Sequence, residues 1–246
     1  MFNIITKRFK KNRELNSYDL YKVVAFITMI MDHIGLFWVH EDDIMLRAVG
    51  RISNLIYSVL FGINRKKNSD RIFICGVIMQ IMLTHHYNRI FPLGTLLNFC
   101  IANLLLDKFY DVYCDSNWPI GIFLLLLLPL GLLTSKCLEY GIFILALALC
   151  GRIFAKEEKT LKDTIVTAVI FFLYFLYQLL VFGFNPSNSM IIFALFTVLY
   201  LALFNFKFVE VKNCLCKSVI MLLSRYSAEM FIVQLLFFMI FNYVDF

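Results

Sequence analysis

Charge, proline and glycine are all scarce in this chain: acidic and basic side chains supply 16% of its 246 residues, with four prolines and ten glycines. That scarcity excludes a low-complexity linker and a solvated soluble domain, both of which need polar or turn-forming residues in quantity. Seven cysteines are present, mostly inside apolar runs, but none forms the CxxC pair of a zinc site or redox centre. Disulfide and metal chemistry are therefore not expected. Absent too is a small-residue cleavage site after the basic stretch TKRFKKNR, so the first apolar segment is expected to stay in the mature protein rather than leave as a signal peptide.

What the chain has instead is apolar bulk: 61% hydrophobic and 17% aromatic residues, with a mean hydropathy of +0.79. Nine apolar stretches lie near 19–39, 46–63, 71–86, 92–107, 118–134, 136–151, 163–184, 188–206 and 218–243, separated by short clusters of charge. Measured against the roughly 20 residues needed to cross a bilayer, they predict an all-α polytopic membrane protein of about nine transmembrane helices. Residues 1–18 read as a basic cytoplasmic tail and 19–246 as a single membrane domain.

The formal net charge of +6 does not point to nucleic acid, because the basic residues sit beside apolar spans and not in a soluble patch interleaved with aromatics. With the N-terminus inside and spans alternating, seventeen of the basic residues fall on the inner side and two, Arg89 and Lys136, on the outer, where HEDD at 40–43 is acidic. The excess predicts a cytoplasmic N-terminus. Lys22, Arg47, Arg51 and Arg225 remain inside the spans, and these need a reason to be there.

Lys22 and His33 are eleven residues apart, three turns plus about 20° of helix, so they share a face and stand about 16 Å apart along the axis. The second span places Arg47 at the outer interface and Arg51 one turn deeper, at the depth of Asp32 and His33. The last span, entered near Ser218, is expected to bring Glu229 to a similar depth, with Arg225 and Glu229 at the i, i+4 spacing of a helical ion pair. The bland account makes Asp32, Arg51, Arg225 and Glu229 register-fixing ion pairs and Lys22 an anchor that snorkels to the interface. Intramembrane ionisable clusters more often mark function. A histidine beside a carboxylate suits a general base, and an arginine steadies negative charge developing on oxygen. On that reading Asp32, His33 and Arg51 are catalytic, and Arg47 and Glu229 contact the acceptor substrate.

The stretch YDLYKVVAFITMIMDHIG, followed by LRAVGRISNLIYSVLFGI and the basic loop NRKKNSDRIF, resembles the TraX family of membrane proteins, whose named activity is N-acetylation of conjugative pilin. Tyr140-Gly141 and SRYSAEMFIVQ at 224–234 resemble later segments of that family. TraX proteins in turn resemble the acyltransferase-three superfamily, in which the first span carries a basic residue, ten intervening residues and a histidine; Lys22 and His33 reproduce that spacing with lysine in place of arginine. The resemblance implies that Lys22, Arg65, Lys66, Lys67 and Arg71 hold the phosphates of acetyl-CoA, the acyl-CoA donor, at the cytoplasmic face of a bacterial inner membrane. His33 then acts at the thioester, and the acceptor is a pilin amine, or a glycan or lipid hydroxyl, outside. One departure stands out: family members often have histidine where this chain has Gln234.

Two other functions remain open. A transporter would use the same buried ions for protons or solute, although no inverted repeat is visible and Pro92, Pro119, Pro129 and Pro186 mostly sit near span ends. A non-catalytic assembly factor of a conjugation or secretion apparatus would use them only for structure. Indifference to CoA separates both from the enzyme.

Overall fold

The computed structural model describes residues 14–38, 44–64, 70–115, 118–183, 186–211 and 216–244. Among them helices dominate and no β-strand forms; two isolated bridges, Asn16 to Glu210 and Leu93 to Leu138, are the only ladder contacts. The helices are α1 (Ser17–Phe37), α2 (Ile44–Gly50), α3 (Ile52–Ile63), α4 (Asp70–Tyr87), α5 (Thr95–Asp115), α6 (Trp118–Thr134), α7 (Phe143–Phe154), α8 (Leu161–Phe182), α9 (Pro186–Phe204), α10 (Lys217–Arg225) and α11 (Ser227–Val244).

Among the described residues, three helical stretches are long and apolar enough to cross a membrane: Ser17–Phe37, Met45–Ile63 and Leu161–Val181. The bent pair α10–α11 makes a fourth if it counts as one span. The outward faces agree with a lipid solvent, since Leu104, Leu125, Leu180 and Met190 stand exposed while Asp32, Arg51, Asn54 and Gln178 are buried.

The nine apolar stretches map onto these helices with four changes. The second span is interrupted at Arg51, which separates α2 from α3. The fourth starts at Thr95 and runs on to Asp115, so Lys108, just past the expected end of the span, lies within a helix. The sixth shrinks to the twelve residues of α7, because Tyr140 and Gly141 adopt left-handed φ values of 63° and 53° that a continuing right-handed helix cannot contain. The last breaks at Tyr226, where α10 turns by 84° into α11.

The last residues of the expected tail are bonded to the segment before residue 212. Residues 1–13 lie outside the described residues. Leu15 is fully buried, its carbonyl accepts from Val211 N–H at 2.8 Å, and Ser17 N–H donates to Val209 at 3.0 Å. Asn16 then caps α1 in a capping box with Asp19, satisfying two orphan N–H groups and fixing where the first span begins.

The centre of the bundle is α7, FILALALCGRIF, whose residues are buried apart from the half-buried Arg152. It crosses α3 backbone to backbone. A Cβ built on Gly151 would lie 2.0 Å from the Val59 carbonyl oxygen, and one on Gly62 would lie 1.9 Å from that of Ala148. Small residues at a crossing let helices in lipid approach closely enough to gain dispersion contact. Gly151→Ala should therefore destabilise the detergent-solubilised protein by about 3 kcal/mol, as overpacked cores do. Gly121→Ala, where the Cβ meets open space, should leave the melting temperature unchanged. Equal melting of the two variants would contradict the tight crossing.

Candidate active site: a cavity from Lys22 to His33

Because α1 is one uninterrupted helix, Lys22 and His33 do lie three turns apart, and a cavity of about 470 Å³ is lined by both. Its volume falls within the ~300–1,000 Å³ of small-molecule sites. Met29, Leu60, Phe61, Leu96, Phe99 and Phe231 make its walls apolar between two polar ends.

At the Lys22 end the ammonium donates to the Ser224 carbonyl at 3.1 Å and sits 5.2 Å from the Tyr18 ring centre. Buried Asp19 accepts from the Ser224 hydroxyl at 2.5 Å, so α1 and the end of α10 are joined by both groups. Arg71, at the start of α4, also lines this end. Arg65, Lys66 and Lys67 lie outside the described residues.

At the His33 end the Asp32 carboxylate faces two guanidinium groups, Arg47 at 3.5 Å and Arg51 at 3.6 Å. Arg51 is buried and donates to the Tyr140 hydroxyl at 2.5 Å. Adjacent residues of a helix point about 100° apart, and the His33 ring turns elsewhere: its Nδ1 is 3.0 Å from the Gln234 amide nitrogen. Phe231 stacks on the ring at 5.8 Å between centres, with Phe37 and Phe238 edge-on to it. The expected pairing of His33 with Asp32 is thus replaced by one with Gln234.

Glu229 is corrected as well. The spacing to Arg225 assumed one straight helix, but the break at Tyr226 removes the i, i+4 register. With α10 lying nearly across α11, its nine residues do not carry Glu229 towards the His33 depth. The Glu229 carboxylate is instead bound by both Nε and Nη2 of Arg71 at the Lys22 end, and Gln234, five residues on, reaches His33. Arg47 does lie beside the His33 end, held by Asp32 and partly exposed.

The fold adds groups that residue patterns alone did not assign. Glu139 accepts from the Thr95 backbone N–H at 2.9 Å and from its hydroxyl. Asn98 donates to the carbonyls of Glu139 at 2.7 Å and Gly141 at 2.9 Å. These bonds clamp the 135–142 turn to the start of α5 and hold Tyr140 over Arg51. The available signal was Glu-Tyr-Gly interrupting an otherwise apolar run. Among the described residues no group of three or more potential metal ligands gathers.

No family model and no solved structure matches the chain. It is similar to a protein of Rickettsia prowazekii (strain Madrid E) described as uncharacterized, with 28% identity over 187 residues that cover 71% of this chain and 72% of that protein.

Proposed function

We propose that this chain is an integral membrane acyltransferase that takes an acetyl group from acetyl-CoA entering at the Lys22 end and passes it to an amine or hydroxyl reaching the His33 end. The observation that carries the reading is a continuous cavity lined at a cationic end by Lys22 and Arg71 and at the other by His33 and Tyr140, with Arg51 bonded to that tyrosine. About 16 Å of α1 separates the ends, a span suited to the thin pantetheine arm of CoA. The nine apolar segments and the charge asymmetry support nine crossings with a cytoplasmic N-terminus, so the thioester would meet an acceptor from outside a bacterial inner membrane.

In the reaction His33 accepts the acceptor's N–H or O–H proton as the heteroatom attacks the thioester carbon. Negative charge gathers on the carbonyl oxygen, where Arg51 and the Tyr140 hydroxyl supply positive potential. The C–S bond then breaks and the CoA thiolate leaves with the proton that His33 holds. Base duty requires Nδ1 protonated and Nε2 free. Nδ1 keeps its proton while Nε2 takes and returns the other, so base duty needs the Gln234 amide turned to offer Nδ1 its oxygen in place of the nitrogen that lies 3.0 Å away. A glutamine partner can make that turn and then hold the ring in the tautomer that leaves Nε2 free.

The test is the purified protein with labelled acetyl-CoA. CoA at a hundred times its dissociation constant should stabilise the fold by about 2.7 kcal/mol, and free CoA should accumulate with acceptor present. Identical melting with and without CoA, and no CoA release, would overturn the reading in favour of transport or assembly.

A further inference from the structure

At the Lys22 end of the cavity, Arg71 of the lining is paired with a carboxylate of the chain itself. Arg71 opens α4 and Glu229 opens α11, and their side chains meet in a two-bond fork. Both are partly exposed, at 35% and 39% of their side-chain area. The Arg71 guanidinium also lies 5.1 Å from the ring centre of Tyr226, the residue at which the α10–α11 elbow turns. Arg71, Ser224, Arg225, Tyr226 and Ser227 all line the cavity here. The cationic end is therefore already occupied by an anion that the chain carries itself.

We propose that Glu229 is an internal competitor for the ligand's phosphate, a latch that ties α11 to α4 at this end of the cavity until a phosphate takes its place on Arg71. A guanidinium fork fits carboxylate and phosphate alike, and a phosphomonoester brings more negative charge and a third acceptor oxygen. Displacement exchanges one bidentate partner for a better one and frees the elbow. The identity of the ligand rests on the acyl-CoA reading. The latch itself rests only on the fork, its partial exposure and its position, and the same chemistry admits an anionic lipid headgroup.

The experiment uses the full chain in phosphatidylcholine nanodiscs with CoA as the probe, read by calorimetry. Removing a half-exposed competitor should tighten CoA binding about fivefold in Glu229→Gln, with a smaller gain in Glu229→Asp. Arg71→Ala should weaken binding, and Glu229→Gln should change nothing in the Arg71→Ala background. Unchanged or weaker binding by both Glu229 variants overturns the latch, as does tightening that persists without Arg71. A second arm replaces CoA with phosphatidylglycerol in the nanodisc. If no variant binds CoA but phosphatidylglycerol stabilises Glu229→Gln more than the parent, the latch stands and the acyl-CoA reading falls. Indifference of every variant to both probes removes both.

Discussion

His33→Ala should abolish release of CoA from acetyl-CoA in the presence of acceptor, with the protein still inserting and accumulating as the parent does. Loss of a positioned acid–base group costs about 10²–10⁴-fold in rate, and here the remaining cavity polar groups cannot replace it. Asp32 is engaged with Arg47 and Arg51, and Glu139 with Thr95. His33→Phe separates chemistry from packing, because a phenyl ring can keep the contacts with Phe231, Phe37 and Phe238 but cannot accept a proton. It should melt closer to the parent than the alanine variant does, and it should be equally inactive. Turnover within tenfold of the parent in either variant would remove His33 from the chemistry.

How much of this was legible depends on whether a helix runs straight. Along α1 it does, so the shared face of Lys22 and His33 follows from counting turns, as does the matched depth of Arg51 and Asp32; the second guanidinium on that carboxylate, Arg47, belongs by the same count to the outer interface. Where the backbone bends, the count failed. Tyr226 carries no proline or glycine to announce an 84° turn, and the local sequence RYSAEMF reads as continuous helix. Counting turns through it as straight helix therefore puts Glu229 one end of the cavity away from Arg71. Tyr140 was hidden differently: its left-handed backbone is set by tertiary bonds from Asn98 and the Thr95–Glu139 clamp, contacts some forty residues distant in sequence. The fully buried α7 shows the opposite limit, since an all-apolar run has no periodicity to say which face meets which neighbour.

Asp32→Ala should behave unlike its neighbour His33→Ala, losing folded protein as well as activity. Gly50 has no side chain, and a Cβ there would fall 2.2 Å from that of Asp32, so α1 and the α2–α3 junction touch at this point. Arg51 is sealed against the contact with 8% of its side chain exposed, and Arg47, at 25%, reaches the same carboxylate oxygen. Deleting the carboxylate leaves two like charges side by side with one of them buried. Breaking a buried pair in this way costs about 3–5 kcal/mol, a large share of the ~5–15 kcal/mol that holds an ordinary protein folded. The charge imbalance can be removed a second way. Asp32→Ala combined with Arg51→Met replaces the pair with apolar groups, which is often neutral for stability, and should return a monodisperse protein in detergent. CoA release should not return with it, because Arg51 and its hold on Tyr140 are gone. Should Asp32→Ala alone accumulate and melt like the parent while inactive, Asp32 would be a reacting group, and the ion-pair role derived from the geometry would be wrong.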